Sequence, residues 1–437
     1  MRTGAWRNRW MDWLEARRGL VPPDKRLSPE AVTALYIHFF FQFGASMSGV
    51  FLTLYLWRLT ESLWINGMYN AINFAIAPLA FALGGLIIKR KDRMVTYRIG
   101  IALTALFYLA VVIAQERVVD YYVLFALFAG AAGAFYWAGY LTLMYDVSTE
   151  QNRIRFLAIN TIVFTLGGLI GPALAGAIIA RNDGLQGYTI VFGIAFVMFL
   201  LATLGSLRIR SQESHHKAYY LRLVGLLMKR SPDWVRSLFA FTAMGLFQGI
   251  MLFLPNILLF QIVGREDLVG YLGVVYASLS IATGMFISRY GSEAKERRFV
   301  LVAAAGFVAG TLFIMWKMSL ATVVAFMVLY SICAPLQGNT LTSYYYRMIG
   351  TLPLKGQLRV ESVIMRETFL NAGRVISIIA LIVLVRYGGS GLLPWVLAVA
   401  SVLQLSLVWL LSRGETSVSG GRPSRSKPAL GRKAASR

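Results

Sequence analysis

Only one cysteine, Cys333, occurs in 437 residues. No disulfide can therefore form within the chain, and no Cys-x-x-Cys or zinc spacing exists. Histidine is almost as scarce, with three in all: His38 stands alone, and His215 and His216 are adjacent. No phosphate loop of the form GxxxxGK[ST] is present, which excludes ATP hydrolysis by this motif. Acidic residues number 20 against 43 Lys+Arg, and charged residues make up 14% of the chain, roughly half the share in a soluble globular domain. Without a metal-binding set, a nucleophile beside a base, or loops long enough for a catalytic domain, no enzyme, metal or cofactor is expected.

What the chain has in plenty is apolar sequence. Hydrophobic residues make up 57% of it, gathered into separate runs of about 20 residues, the length that crosses ~30 Å of hydrocarbon. The expected spans are 31–57, 64–88, 95–115, 120–146, 156–180, 187–207, 236–262, 267–290, 299–316, 320–346, 363–386 and 391–412. The first begins too late and runs too long for a cleavable signal peptide. The expected domains are an amphipathic segment (1–30), a six-helix half (31–207), a basic linker (208–235), a second six-helix half (236–412) and a basic tail (413–437).

Charge placement sets the topology, because short loops rich in Lys and Arg resist translocation. Lys89, Arg90, Lys91, Arg93, Arg153, Arg155, Arg289, Lys295, Arg297, Arg298, Arg347, Lys355 and Arg359 fall on the same side as the linker and both termini. The other loops hold only Arg58, Arg117, Arg181, Arg265, Lys317 and Arg386. Both termini are thus expected in the cytoplasm, in a cell (plasma or inner) membrane. Trp6, Trp10, Trp13 and Arg17 at helical spacing suit an interfacial helix. The Ser/Gly/Pro/Arg-rich tail suits an anionic lipid surface, and its lack of aromatic interleaving argues against nucleic acid.

The halves echo one another. Gly85 to Lys89-Arg90 parallels Gly284 to Ser288-Arg289. Leu141-Thr142 with Tyr145 parallels Leu341-Thr342 with Tyr345. Arg155 and Asn160 parallel Arg366 and Asn371 at the same separation of five. A parallel duplication puts a binding cavity between the halves near the bilayer midplane.

These features resemble the major facilitator superfamily over residues 31–412, which implies an all-α integral membrane protein of twelve transmembrane helices in two six-helix halves. Family members carry G-x-x-x-D-R-x-G-R-K after the second helix. Here that stretch reads Gly85-Leu-Ile-Ile-Lys89-Arg90-Lys91-Asp92-Arg93, with Lys89 at the family's aspartate position and Asp92 as the carboxylate available to replace it. The fifth span carries Gly167, Gly171, Pro172 and Gly176, similar to the G-x-x-x-G-P-x-x-x-G element of the family's antiporters, which implies efflux.

Ionisable groups inside hydrocarbon are expensive and so are functional candidates. Arg374 sits mid-span, on one face with Glu367 and Asn371. It is a candidate for substrate binding or for a helix brace, while Arg366 is expected to reach water at the helix end. The further substrate candidates are Asn70 and Asn73, with Asn66 on the same face, and Trp137, Tyr140, Gln248 and Gln337. Tyr136 belongs with the aromatics, whereas Tyr344, Tyr345 and Tyr346 are expected to form an interfacial belt. His38 and Glu367 are the proton-coupling candidates. Pro78, Pro172, Pro255 and Pro335 fall within spans, where they allow bending. The expected function is secondary active transport by alternating access, with export of a small or amphiphilic organic solute and proton antiport as its candidate coupling. A monomer is expected, with membrane lipid as its other partner. A lipid flippase of the same fold and a non-transporting receptor or scaffold are the alternatives.

Overall fold

A computed structural model describes residues 26–147, 153–209, 220–290, 292–352 and 358–411. The tryptophan-bearing segment, most of the linker and the tail lie outside the described residues. Helix starts follow from local chemistry. Ser28 caps the first helix through Ala31 N at 3.1 Å, with Pro29 preset for its first turn. Ser62 caps the second, and Asp92 caps the third through Met94 N at 3.1 Å. Each cap satisfies an amide that the helix itself leaves unpaired.

The elements are α1 (Pro29–Thr60), α2 (Leu63–Arg90), α3 (Arg93–Ala114), α4 (Tyr122–Asp146), α5 (Arg153–Ala180), α6 (Gln186–Ser206), a short linker helix α7 (Leu221–Arg230), α8 (Pro232–Met251), α9 (Leu254–Val263), α10 (Glu266–Tyr290), α11 (Glu296–Trp316), α12 (Leu320–Thr351), α13 (Arg359–Gly388), α14 (Leu393–Leu403) and α15 (Leu407–Leu410). Among the described residues, twelve stretches are long and apolar enough to cross a membrane. The seventh is made of α8 and α9, broken just before Pro255, where a proline can sit in the first turn of a new helix. The twelfth is made of α14 and α15. Pro78, Pro172 and Pro335 lie inside continuous helices.

Within the first half α1 packs on α5 and α6, α3 on α4 and α6, and α2 on α4. The second half repeats this one for one: α8 on α13 and α14, α11 on α12 and α14, and α10 on α12. Between halves α2 packs on α13 and α5 on α10, pairs that exchange under the same correspondence. Eight helices (α1, α2, α4, α5, α8, α10, α12 and α13) therefore ring an axial space, with α3, α6, α11 and α14 outside it.

Glycines set the closest approaches in this ring. A Cβ on Gly249 would stand 2.6 Å from the Arg374 carbonyl oxygen, and one on Gly245 would collide with that of Leu370. Gly373 meets Thr242 in the same way. These small residues let α8 and α13 pack backbone to backbone. In the first half Gly167 and Gly171 do the same for α5 on α1, against Gln42 and against Ser46 and Met47.

Because the spans alternate, the linker and the α2–α3 turn share one face, the linker face; the opposite one is the far face. One apolar core runs through the first half and on into the far-face part of the second, including Phe247, Phe253, Leu258 and Phe307. The linker-face part of the second half has a separate core around Trp234, Leu238, Phe241 and Tyr345. A small cluster of Phe81, Ile88, Ala138 and Ile364 bridges the halves on that side. The two halves are thus welded at the far face and joined more thinly at the linker face.

Two expectations change here. Tyr344 and Tyr345 are buried, and the Tyr345 hydroxyl donates to Ser362 O at 2.6 Å and accepts from Trp234 Nε1 at 3.3 Å. Only Tyr346 of that trio is exposed, because the helix turns the other two into the linker-face core. Arg366 does not reach water either. It is buried, bonded to Glu367 Oε1 at 2.6 Å and lying near the Phe241 and Tyr346 rings.

Candidate functional site

Arg374 lies at the middle of α13, half-buried, and among the described residues its side chain hydrogen-bonds to neutral groups. Its Nη2 and Nε donate to Gln248 Oε1 on α8 at 2.7 and 3.2 Å, and Nη1 donates to Asn371 Oδ1 at 2.9 Å. The guanidinium stands 4.9 Å from the ring centroid of Phe74 on α2, so it touches both halves. The backbone contact at Gly245, Gly249 and Gly373 brings Gln248 within reach. Glu367, the carboxylate on the same face, is held by Arg366 at 2.6 Å. Neutral dipoles and an aromatic face orient the guanidinium without cancelling its charge. That leaves it able to bind an anion.

The other sequence candidates divide. Asn70 donates Nδ2 to Asn66 O at 2.9 Å, within its own helix. Asn73 turns toward α4, with Oδ1 2.9 Å from where a Cβ on Gly130 would stand. Gln337 is buried and donates to Gln404 Oε1 at 3.2 Å; Gln404 in turn donates to Ala243 O at 2.8 Å. This pair braces α12 and the turn after α14 against α8. Trp137 is 38% exposed and sits edge-on to Tyr136 and Tyr140, with centroids 5.4 Å from each.

His38 is fully buried and lies between those tyrosines. Its Nδ1 is 2.9 Å from the Tyr136 hydroxyl and its Nε2 is 3.4 Å from that of Tyr140. Asn160 on α5 donates Nδ2 to the Tyr140 hydroxyl at 2.7 Å. In the sequence Asn160 stands out only as half of a repeat echo. Its counterpart there is Asn371, and both belong to polar clusters on ring helices. The echo was therefore the signal that could have found it.

At the far face Glu266 at the start of α10 is buried. It accepts from Arg58 Nη1 on α1 at 2.5 Å and from the Tyr188 hydroxyl on α6 at 3.2 Å. Gly176 and Pro172 bring α5 against the backbone of Glu266 and Gly270 beside this pair. The glycine element of the fifth span thus serves two contacts: Gly167 and Gly171 on α1, and Pro172 and Gly176 on α10.

At the linker face Lys89 Nζ lies 3.8 Å from Glu361 Oε1, both buried, and Glu361 also accepts from Tyr220 N at 3.0 Å. Gly85 is buried, Arg90 is exposed, and Arg93 opens α3. The family's aspartate position is thus occupied by a cation that faces a carboxylate on the other half, while Asp92 caps α3. Removing one member of a buried ion pair takes that counter-charge from the other at a cost in stability. Glu361→Gln should lower the midpoint of thermal unfolding, and the exchange Lys89→Glu/Glu361→Lys should recover part of the loss. Equal midpoints in wild type and Glu361→Gln would show that the pair carries no stability.

A family model described as Major Facilitator Superfamily matches residues 34–351. An uncharacterized protein YqgE of Bacillus subtilis (strain 168) is 28% identical over 345 residues, 79% of this chain and 80% of that protein. An uncharacterized Geobacillus stearothermophilus protein from the sodM 3′ region is 29% identical over 168 residues, 38% of this chain and 78% of its own length. Among solved structures, a D-xylose-proton symporter superposes with a TM-score of 0.68 at 14% identity, covering 87% of this chain and 97% of that one. The human organic anion transporter MFSD10 (TETRAN) gives 0.66 at 15%, covering 90% and 100%. At such identities these two report the fold alone. The chain, with twelve candidate spans among its described residues in two matching halves and the family model covering most of it, belongs to the major facilitator superfamily and is a multi-pass membrane protein of the secondary-transporter kind.

Proposed function

We propose that this transporter exports a small or amphiphilic organic anion, with an acidic head and an apolar or aromatic body, by proton antiport. The observation that carries this reading is Arg374: a mid-span guanidinium held by Gln248 and Asn371, faced by Phe74, with no carboxylate among its hydrogen-bond partners in the described residues. An anion arriving there gains charge-assisted hydrogen bonds in a medium of low dielectric. Trp137 supplies exposed aromatic surface in mid-span for the body of the molecule. The glycine and proline element of α5, which packs on both α1 and α10, supports export through its likeness to the family's antiporters. The chain sits in the cell membrane with both termini in the cytoplasm and works as a monomer, since it already carries both halves. The linker face is then the cytoplasmic one.

The test is a ligand panel on the purified protein. Anionic amphiphiles should raise the unfolding temperature of wild type and leave Arg374→Ala unmoved, and their neutral isosteres should act on neither. Equal stabilisation of both proteins, or by acid and isostere alike, would remove Arg374 as the anion site.

A further inference from the structure

Proton antiport needs a group that takes up the proton and a way for its presence to be felt at the transported molecule. Resting on that transport reading, we propose that His38 Nε2 is the proton site, and that Tyr140 relays its state to Asn160 by reversing one chain of hydrogen bonds. Asn160 Nδ2 donates to the Tyr140 oxygen at 2.7 Å. With that oxygen accepting, the Tyr140 hydroxyl is free to donate to His38 Nε2 at 3.4 Å, which makes Nδ1 the protonated nitrogen and lets it donate to the Tyr136 hydroxyl 2.9 Å away. Every donor in this chain points one way, and it ends with Asn160 Oδ1 buried and without a hydrogen-bond partner among the described residues.

Adding a proton at Nε2 makes both ring nitrogens donors. Nε2 can then no longer accept from Tyr140, so the hydroxyl, keeping its own proton, turns to donate to Asn160. The amide obliges by rotating half a turn, which brings Oδ1 to the hydroxyl and frees Nδ2. Neutral His38 thus leaves Asn160 with a free acceptor, and protonated His38 leaves it with a free donor pair. In a state of the cycle that opens this cluster to the transport path, a molecule whose N–H or O–H is held by Oδ1 loses that partner when the proton binds. That is the alternation an exchanger needs.

Among the described residues, the titratable groups facing His38 are Tyr136 and Tyr140 of α4, the Tyr140 ring stacked on the imidazole with centroids 4.6 Å apart, with Tyr97 of α3 behind Tyr136 at a ring separation of 5.5 Å. α5 faces it with Asn160 and with Phe164, whose ring is 6.1 Å away. α6 contributes Phe199, through Phe41. Arg98 of α3 is bonded to the carbonyls of Ser206 and Ile209. Asn160 occupies the place in the first half that Asn371, the partner of Arg374, occupies in the second. One cluster binds charge and the other reads the proton.

The test uses the full chain in nanodiscs, with His215 and His216 replaced by serine so that His38 is the sole histidine, and 15N NMR of its ring. At alkaline pH the direction of the chain requires the Nδ1–H tautomer, and an Nε2–H tautomer would overturn the proposal. In Asn160→Asp, which can only accept, Tyr140 stays turned away from His38. At a pH where half of wild-type His38 is neutral, the ratio of protonated to neutral His38 in the variant should be at least about ten times the wild-type ratio. Adding Tyr140→Phe should abolish most of that difference. A difference unchanged by Tyr140→Phe would be a through-space charge effect and would overturn the relay. The wild-type tautomer needs neither of these two substitutions, so it decides the matter even where they fail to fold. No substrate enters the measurement, so its failure leaves the transport reading standing, and the reverse holds as well.

Discussion

Arg374→Ala abolishes transport while leaving membrane insertion and the unfolding midpoint of the empty protein near wild type. The expectation follows from what Arg374 touches. Its partners are Gln248 and Asn371, neutral amides that can turn to other partners once the cation is gone, so little is stranded by its removal. A bound anion, by contrast, loses charge-assisted hydrogen bonds worth about 1.5–3 kcal/mol each. Two such bonds correspond to a loss of at least about a hundredfold in affinity. Arg374→Lys should recover only part, since an ammonium cannot reproduce the planar fork that addresses Gln248 and a bound oxyanion together. Initial flux and thermal unfolding on the same preparations decide it. A variant that fails to insert or melts early identifies Arg374 as a brace between α8 and α13, the alternative open from the sequence.

Glu266→Gln loosens the far face. In the structure the Glu266 carboxylate ties α10 to Arg58 on α1 and Tyr188 on α6, an ion pair that crosses the welded side. The Gln variant leaves Arg58 without its counter-charge; since Arg58 is partly exposed, the cost is set below the full buried-pair value, at about 1–3 kcal/mol. A shift of that size changes the ratio of the two facing states by roughly 5- to 150-fold. Spin labels at Asp183→Cys and Lys317→Cys in a Cys333→Ala background, one on each half at the far face, should show a longer distance gaining population in Glu266→Gln. An unchanged distance distribution would mean that the apolar contacts of α5 with α10 alone hold the far face.

The twelve spans and their division into two halves were legible because crossing hydrocarbon imposes a length and a composition that leave little room for ambiguity. Arg374, Asn371 and Gln248 were legible too, as polar groups where polarity is expensive, and the structure brings all three together. Other polar residues passed the same filter and serve packing: Gln337 binds Gln404 and Asn70 binds its own helix. Cost alone cannot separate a ligand from a brace, since both must justify burial. Two ion pairs that join the halves among the described residues were not legible. Arg58 with Glu266 and Lys89 with Glu361 join residues far apart in the chain, near helix ends where a charge is unremarkable in sequence. The break before Pro255 was half visible, since the proline marked a weak point without saying whether the helix would bend or stop.

Outward movement of an organic anion in exchange for protons is tested most directly by flux in proteoliposomes. Vesicles are loaded with an anion that stabilised the wild type in the ligand panel, and its release is followed with and without an imposed pH gradient. Release that quickens with the gradient, is accompanied by proton entry and vanishes in Arg374→Ala is the expected result. Release indifferent to the gradient, or retained in full by Arg374→Ala, would overturn the exchange of anion for proton at this site.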